Sequence, residues 1–304
     1  MITDTDLIIK DSNIYHLGVN KEQISTTIIL VGDPDRVEIV SKYFDRITHK
    51  SQHREFVVHS GYIGDKYLTV LSTGIGTDNI DIVINELDAL FNIDFKTKEI
   101  KEKLTTLNLI RLGTCGSLDK KIGVDTCIVS DYGLGLDNLL SFYGNNKDFY
   151  TKNIKINHTY RPCYIGAVDY NLNETKEKEA ILKSYNPYIV EGDISLRNLF
   201  PEYRHGITVT CPGFYGPQGR NLRIKNNTSR LIETLASVEY NNSTVLNFEM
   251  ETSALYGLSK LSGHKALTIC TVVGNRITNE FSKNAEASVD KMIRNFLEKI
   301  VKLI

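Results

Sequence analysis

A short apolar segment that carries one arginine and then meets glycines constrains the fold of this chain most strongly. Residues 107–110 are mostly apolar, Arg111 follows them, and residues 112–117 contain two glycines. A short run bounded by glycines is typical of a buried strand in a parallel sheet. A guanidinium is almost never fully buried unless it is paired, so Arg111 needs an anion or a carboxylate. Because ligands bind at the carboxyl ends of strands in open α/β sheets, the segment predicts an anion site or a structural ion pair.

Alternating strand and helix patterns surround this segment. Residues 27–31 form an apolar run that ends at Gly32, and the apolar positions that follow Pro34 recur at helical spacing. Residues 54–58 and 67–71 flank a glycine-containing turn and predict a hairpin. Residues 265–273 predict a last buried strand before a closing helix. With no visible repeat or linker, we predict one α/β domain over residues 1–304, with a divergent insertion around 131–205 and long loops within 131–168.

Composition narrows the class of partner. The 36 basic and 37 acidic residues leave a net charge of -1, so no global field favours nucleic acid or an anionic membrane. The amino terminus has no sustained apolar core, and no window reaches the ~20 apolar residues of a membrane span. The five cysteines contain no C-x-x-C pair, which predicts reduced thiols. We therefore expect a cytoplasmic protein.

Four arginines recur at comparable places. Arg36, Arg111, Arg220 and Arg276 each lie at or just beyond the predicted end of a strand, which indicates an anionic ligand. Gly32 would let that ligand approach the backbone, and the amides at a helix start favour an anion. The sequence contains neither the glycine-rich motif of a triphosphate site nor that of a dinucleotide site. The pattern therefore favours a small anion such as phosphate.

Two further segments offer groups for the rest of a ligand. Phe214, Gln218 and Arg220 supply a ring, an amide and a guanidinium within a turn-rich stretch, which either binds a planar heterocycle or forms a surface turn. Glu249 and Glu251 lie at a predicted strand-to-helix junction, where they form either a first-turn acidic pair or a pocket carboxylate for hydroxyls. Phosphate, a base and a sugar would together use all these groups.

The same residues resemble the nucleoside phosphorylase-I family, and within it the uridine phosphorylases. The matching motifs, in family order, are Tyr15-His16-Leu17-Gly18, residues 31–36, Arg54-Glu55-Phe56, residues 72–76, Arg111-Leu112-Gly113-Thr114, residues 214–220, Phe248-Glu249-Met250-Glu251 and Asn275-Arg276-Ile277-Thr278. The resemblance implies a three-layer α/β/α fold around a mixed, largely parallel sheet.

The resemblance also implies a role for each matching residue. Phosphate would be held by Gly32, Arg36, Arg111 and Thr114, with Arg54 from a neighbouring subunit. Ribose would be held by Met250 and Glu251, with His16 from the neighbour. The base would be bound by Phe214, Gln218, Arg220 and Arg276. The catalytic set would be Arg36, Arg111, Thr114, Arg220 and Glu251. A monovalent cation such as K⁺ is implied near Glu55, Ile75 and Asn79, between subunits of a homodimer that can assemble further into a trimer of dimers.

The implied activity is phosphorolysis of a pyrimidine nucleoside, most simply uridine and phosphate giving uracil and ribose 1-phosphate. Cleavage of an N-glycosidic bond places positive charge on the ribose and negative charge on the base, so fixed donors and an anion suffice without a covalent nucleophile or cofactor. In the family that the residues resemble, purine-specific members usually carry an aspartate near the position of Asn275, and its absence here favours a pyrimidine. A purine nucleoside phosphorylase is the nearest alternative. A hydrolytic nucleosidase and a non-catalytic nucleoside-binding protein are the others. The apolar island at 14–17 looks too short to pack on its own core and predicts docking on a partner.

Overall fold

A computed structural model describes residues 2–144, 149, 154–156, 172–227 and 230–302. The strands are β1 Ile9–Lys10, β2 Asn13–Ile14, β3 Thr27–Val31, β4 Arg46–His53, β5 Phe56–Ile63, β6 Lys66–Ser72, β7 Ile93–Asp94, β8 Glu99–Ile100, β9 Asn108–Ser117, β10 Cys127–Gly135, β11 Lys155–Ile156, β12 Tyr188–Glu191, β13 Arg204–Thr210, β14 Val238–Tyr240, β15 Ser243–Glu249, β16 Lys265–Asn275 and β17 Glu280–Phe281. The α-helices are α1 Pro34–Ser41, α2 Thr77–Asn92, α3 Leu172–Ser184, α4 Ile194–Arg197, α5 Leu231–Ala236, α6 Thr252–Leu261 and α7 Ala285–Ile300.

The central strands are apolar at consecutive positions because both faces of the sheet are covered. Along β3, Ile28 and Leu30 pack with residues of α2 and α6, whereas Ile29 and Val31 pack with residues of α1 and α7. All residues of β3 are buried. Helices therefore lie on both sides of one sheet, and the predicted three-layer α/β/α fold is confirmed.

The sheet is mixed, with parallel pairs at its centre. Strand β9 runs parallel to β3 and β16, β3 runs parallel to β6, and β13 runs parallel to β10 and β15. Strands β10 and β16 pair antiparallel, and β15 also pairs antiparallel with the end of β9. The last pairing closes a ring of β9, β16, β10, β13 and β15. Closure of this ring brings the carboxyl end of β15 beside β9.

The strand that contains Arg111 is longer than its sequence indicates. We placed Arg111 near the carboxyl end of a strand that stops at glycines, but β9 continues through Gly113 and Gly116 to Ser117. It continues because β16 and the end of β15 hydrogen-bond to its glycine-rich half. Arg111 nevertheless lies near the carboxyl end of the neighbouring strand, since its partner in β3 is Leu30 and β3 ends one residue later.

Other local predictions had mixed outcomes. The hairpin of β5 and β6 and the helices α6 and α7 are confirmed. The apolar positions 80, 83, 84, 87 and 90 lie on one helical face in the sequence and predict a further amphipathic helix, which is confirmed as α2. The polar strand β4 was not predicted, since all of its residues are exposed or half-buried. Residues 131–135 belong to β10, so the prediction of loops throughout 131–168 is wrong there. Its positions 145–148, 150–153 and 157–168 lie outside the described residues. Within the described part, no helix combines the length and apolarity that crossing a membrane requires.

Candidate active site

Arg111 is the buried centre of the candidate site. Its side chain is 6% exposed, and its Nη2 donates a short hydrogen bond to Oε2 of Glu251. Its Nη1 lies 3.4 Å from Oε2 of Glu249 and 3.7 Å from the sulfur of Cys270. Glu251 also accepts a hydrogen bond from the backbone N–H of Gly76 at 2.9 Å. The residue assigned to phosphate and the residue assigned to ribose are therefore in direct contact.

Glu249 fixes the junction that carries Glu251. Its carboxylate accepts hydrogen bonds from the backbone N–H groups of Glu251 and Thr252 and from the hydroxyl of Thr210, at 2.8 to 3.1 Å. These amides belong to the first turn of α6, where backbone donors have no partner within the helix. Glu249 therefore caps α6 and faces Arg111 with the same carboxylate. The structure combines the two alternatives that the sequence left open. Glu249 accepts hydrogen bonds from the first turn of α6, and Glu251 lies beside Arg111 in the candidate site.

The charges of this group act on one another. Burial raises the pKa of Glu251, the Arg111 charge opposes this shift and the Glu249 charge adds to it, and together they place the pKa at about 7. Burial disfavours the charge of Arg111, but Glu251 and Glu249 outweigh burial and hold the pKa of Arg111 above its ordinary value. Arg111 therefore stays charged, and Glu251 is the group poised to titrate near neutral pH.

Arg36 supplies a second positive charge beside Arg111. It lies in the first turn of α1, whose start is capped by the Asp33 carboxylate accepting from the N–H of Asp35 at 3.0 Å. Burial lowers the pKa of Arg36, with Asp33 opposing and the nearby Arg111 charge adding to the shift. Among the described residues, the Arg36 guanidinium has no carboxylate within 4 Å. Positive charges that lie near each other attract an anion, and this is the arrangement that the sequence-based assignment of Arg36 and Arg111 requires.

Two glycines leave space for the Arg111 guanidinium. A side chain at Gly32 would place its Cβ 3.9 Å from Nη2 of Arg111 and 3.4 Å from the carbonyl oxygen of Gly74. A Cβ at Gly113 would lie only 2.0 Å from Nη1 of Arg111. The Arg111 guanidinium therefore occupies the space that a side chain at residue 113 would fill, and it can do so because residue 113 is glycine. Thr114, the next residue of β9, is half-buried and pairs with Thr271 of β16.

The predicted base-binding residues form a second group. The guanidinium of Arg220 lies 3.7 Å from the ring centroid of Phe214, and its Nη1 donates at 2.6 Å to both the Phe214 carbonyl and Oε1 of Gln218. Arg276 donates to the Gln218 carbonyl at 3.1 Å. Burial and then the nearby Arg276 charge lower the pKa of Arg220. Gln218 is buried and Phe214 is half exposed, so the four residues form a wall with an open ring at its edge.

This wall adjoins the Arg111 group through the end of β15. Arg220 lies 5.9 Å from the ring centroid of Phe248, one residue before Glu249. Met250 is half-buried between the two glutamates. The structure thus brings together, around the middle of β9 and the ends of β3, β13, β15 and β16, the residues Gly32, Arg36, Arg111, Met250, Glu251, Phe214, Gln218, Arg220 and Arg276.

Asn275, which we connected with base choice, has a structural role. Its Nδ2 donates to the carbonyls of Asp119 and Ile122 at 2.9 and 2.8 Å, and its Oδ1 accepts from the N–H groups of Ile277 and Thr278. An aspartate here would place a carboxylate oxygen against two carbonyl oxygens. The fold alone therefore accounts for asparagine at this position.

His16 and Arg54 form a third group. The Arg54 guanidinium lies 5.7 Å from the Tyr15 ring centroid, and the Tyr15 ring contacts the His16 ring edge-on at 4.8 Å. Among the described residues, no hydrogen bond or ion pair joins His16 or Arg54 to the Arg111 group. Our interpretation of the 14–17 island as unable to pack on its own core is wrong, since Ile14 and Leu17 are each 1% exposed within this chain.

The residues assigned to a cation lie around Gly74. A Cβ at Gly74 would be 2.3 Å from Nδ2 of Asn79 and 3.2 Å from Cγ of Glu55, so these two side chains flank one backbone position. Ile75, the next residue, is 68% exposed. A carboxylate, an amide oxygen and a carbonyl are oxygen ligands of the kind that hard cations take.

The match to a known protein family covers the Arg111 group and the wall of Phe214, Gln218, Arg220 and Arg276, but not the segment that carries His16. Residues 26–304 match the Phosphorylase superfamily. The chain belongs to this superfamily. Within it, the chain is 27% identical over 275 residues to a uridine phosphorylase of Thermococcus kodakarensis, covering 90% of this chain and 81% of the relative. It is 28% identical over 267 residues to a DeoD-type purine nucleoside phosphorylase of Bacillus subtilis, covering 87% and 88% of the two chains.

A solved structure agrees with this membership. A Trypanosoma brucei nucleoside phosphorylase, described as showing uridine phosphorylase activity, superposes with a TM-score of 0.81 and 27% identity. The superposition covers 98% of the present chain and 100% of the Trypanosoma brucei chain. The predicted kinship with the nucleoside phosphorylase-I family is confirmed.

Three supporting residues of the site were missing from the sequence-based set. Glu249 pairs with Arg111, Gly113 makes room for it, and Glu86 accepts from the segment that carries His16. The only signal for Glu249 was its place at a strand-to-helix junction. No signal in the sequence pointed to Glu86, which is a polar residue off the apolar face of α2. Its partner, His16, lies 70 positions away in the chain.

Proposed function

We propose that this chain catalyses phosphorolysis of a pyrimidine nucleoside, with uridine as the substrate. The observation that carries the proposal is the buried contact between Arg111 and Glu251, flanked by Arg36, which has no carboxylate within 4 Å in the part of the chain that the structure describes. A phosphate held by these arginines would lie beside the carboxylate that holds the ribose. Nucleophile and sugar would thus be fixed next to each other, which is the main requirement of a displacement at C1′.

In the proposed reaction a phosphate oxygen forms a bond to C1′ as the bond from C1′ to the base nitrogen breaks. The electron pair of that bond passes to the base, whose developing negative charge is stabilised by the fixed donors of Gln218 and Arg220. Phosphate also offsets the positive charge on the ribose. The proton of the attacking hydrogen phosphate passes to the base anion, so the products are uracil and ribose 1-phosphate. No cofactor or covalent enzyme intermediate is needed.

The assignment to a pyrimidine rests on Gln218 and Arg220. A guanidinium and an amide held at 2.6 Å from each other offer N–H donors to the carbonyls of uracil and the amide oxygen as an acceptor for its imide N–H. A buried polar partner left without its hydrogen bond strongly disfavours a base that does not fit. The relative from Thermococcus kodakarensis named as a uridine phosphorylase points the same way.

A purine nucleoside is the second candidate. The DeoD-type relative is as similar to this chain as the uridine phosphorylase is, at 28% and 27% identity. Because hydrogen bonds to the fold account for Asn275, its identity does not discriminate between the two bases. The two candidates predict different free bases, uracil from uridine and hypoxanthine from inosine.

Assembly and ions complete the proposal. We propose a homodimer as the minimal unit, able to form a trimer of dimers, in which Arg54 and His16 enter the neighbour's site. Their grouping around Tyr15 supports joint donation. We also propose that K⁺ binds near Glu55, Ile75 and Asn79, that residues 1–304 act as one domain, and that the enzyme works in the cytoplasm.

One assay separates these functions. The protein is incubated with uridine or inosine, each with and without phosphate, and the free base is measured. Phosphate-dependent release of uracil at a rate orders of magnitude above hypoxanthine supports the proposal. Preference for inosine moves the chain to the purine candidate, release without phosphate indicates a nucleosidase, and binding without release indicates a sensor.

A further inference from the structure

A carboxylate in the middle of α2 holds the segment that carries His16. Glu86 accepts hydrogen bonds from the backbone N–H of His16 at 3.0 and 3.1 Å and from that of Leu17 at 2.9 Å. Its Oε1 lies 2.6 Å from Nδ1 of His16. The Glu86 side chain is 14% exposed and that of His16 is 28% exposed. The carboxylate is thus fixed by several donors, and one edge of the imidazole remains open.

The chemistry of this contact determines where the His16 proton lies. An ionised carboxylate only accepts hydrogen bonds, so the ring nitrogen that faces it must carry hydrogen. In a neutral imidazole the other nitrogen then has a free lone pair. With Nδ1 donating to Glu86, Nε2 of His16 is an acceptor. A ligand hydroxyl that meets Nε2 would have to donate.

We propose that Glu86 is a positioning residue that fixes His16 as its Nδ1–H tautomer, so that Nε2 accepts a hydrogen bond from the nucleoside 5′-hydroxyl. This inference rests on the proposed function, in which His16 reaches the ribose of the neighbouring site. Glu86 itself does not contact substrate. It acts through the imidazole, as carboxylates that orient histidines do in other sites.

The remaining contacts of His16 limit its rotation. The Tyr15 ring packs edge-on against the imidazole at 4.8 Å. His53 contacts the His16 carbonyl oxygen through its Nδ1 at 2.9 Å. Backbone and ring are thus held from separate directions, and a change at Glu86 can alter the tautomer without releasing the segment.

The substitution Glu86→Gln reverses the polarity of one contact and keeps the shape of the side chain. The amide oxygen can still accept from the N–H groups of His16 and Leu17, so its NH₂ group turns toward Nδ1. An NH₂ group donates, so Nδ1 becomes the acceptor and hydrogen moves to Nε2. The 5′-hydroxyl then faces a donor in place of a lone pair.

Two measurements on the full-length protein test the proposal. The ¹⁵N chemical shifts of His16 should show a protonated Nδ1 in the wild type and a protonated Nε2 in Glu86→Gln. In steady-state assays with saturating phosphate, Glu86→Gln should lower kcat/KM for uridine about tenfold, the size of one lost hydrogen bond. It should leave kcat/KM for 5′-deoxyuridine unchanged, since that substrate lacks the hydroxyl.

Controls separate this role from a general effect on folding. Asp81→Asn makes the same carboxylate-to-amide change on α2, at a residue that contacts the Tyr143 hydroxyl, and should change neither the tautomer nor the ratio of the two substrates. His16→Ala should abolish the preference for uridine over 5′-deoxyuridine, and adding Glu86→Gln to it should have no further effect on that ratio.

The outcomes are distinct. An unchanged His16 tautomer in Glu86→Gln, or an equal loss on both substrates, overturns the positioning role. A wild-type enzyme that cleaves both substrates equally well also overturns it, because His16 then does not bind the hydroxyl. Absence of any phosphorolysis by the wild type refutes the proposed function, while the chemical shifts still report whether Glu86 sets the tautomer.

Discussion

At the scale of single residues, the site depends on one arginine whose partners come from distant parts of the chain. The sequence identified Arg111 because a charge in an apolar strand needs a partner. It did not identify Glu249 as a second partner, because that contact depends on the pairing of β15 with β9. Side chains that are anomalous in their own segment could be predicted, whereas their partners across the ring of strands could not.

The first residue to test is Arg36. Arg36→Ala removes a charged contact to phosphate and should cost about 2 to 4 kcal/mol of transition-state stabilisation, seen mainly as a higher KM for phosphate. Arg294→Ala, which removes an exposed arginine of α7 paired with Asp290, is the matched control and should leave KM unchanged. Wild-type phosphate dependence in Arg36→Ala would show that phosphate binds elsewhere.

Glu251 should make activity depend on pH near neutrality. Burial is the main cause that raises its pKa to about 7, and the charged form presents two accepting oxygens to the ribose hydroxyls, whereas protonation turns one of them into a donor. The kcat/KM for nucleoside should therefore rise as pH increases toward about 7 and level off above it. Glu251→Gln should be slower and should lose this limb. An identical limb in the variant would assign the titration to another group.

The same shift predicts a pH effect on stability. The pKa of Glu251 in the folded protein lies above its ordinary value of 4.5, so the folded state binds the proton more tightly than the unfolded state. This contribution is fully present below pH 4.5 and is lost as pH rises through about 7. In urea unfolding, Glu251→Gln should therefore gain stability relative to the wild type over this interval. A difference that stays constant with pH would contradict the assignment.

At the scale of elements, sequence periodicity predicted the amphipathic helices and the buried strands but not the exposed or glycine-rich strands. Helix α2 was predicted because its apolar residues recur on one face and bury there. Strand β4 was not predicted because none of its residues is buried. Its sequence therefore shows no alternation of apolar and polar side chains that would indicate a strand. The glycine-rich end of β9 exists through its pairing with β15 and β16, which local sequence does not encode.

Gly113 offers a test at this scale. In Gly113→Ala the new Cβ would lie 2.0 Å from Nη1 of Arg111 and 3.1 Å from the sulfur of Cys270, so the guanidinium must move. We expect a loss of about 1 to 3 kcal/mol in unfolding free energy together with a large loss of kcat/KM for phosphate. Gly123→Ala, where a Cβ meets no atom within 4 Å, is the control. Full activity of Gly113→Ala would mean that the observed Arg111 position is unimportant.

At the scale of the whole molecule, the resemblance of ordered motifs carried more information than local physics did. It predicted the layers of the fold and the family, both confirmed by the structure and by the match over residues 26–304. The local argument about the 14–17 island was wrong because its anchor, Glu86, lies 70 positions away on α2. Shared sites between subunits therefore remain a prediction from the resemblance.

Complementation tests the shared site. Arg54→Ala and Glu251→Ala should each be nearly inactive, because each removes one member of every site. After equal mixing and subunit exchange, half of the dimers contain one chain of each kind, and one of their two sites is intact. About a quarter of wild-type activity should return, and samples of a single variant treated in the same way should recover none. Verified exchange without recovery would place both residues in the site of one chain.

Helix α2 contacts residues of two different proposed sites, the site of its own chain and that of the neighbour. Its N-cap residue, Gly76, donates to Glu251 of the chain's own site, and Glu86, about 15 Å further along the axis, holds the histidine proposed for the neighbour's site. A change that tilts α2 would damage both sites of a mixed dimer, although only one chain carries it. Variants of α2 should therefore behave as genetically dominant. Variants in the wall formed by Phe214, Gln218, Arg220 and Arg276 damage only the site of their own chain and should be recessive.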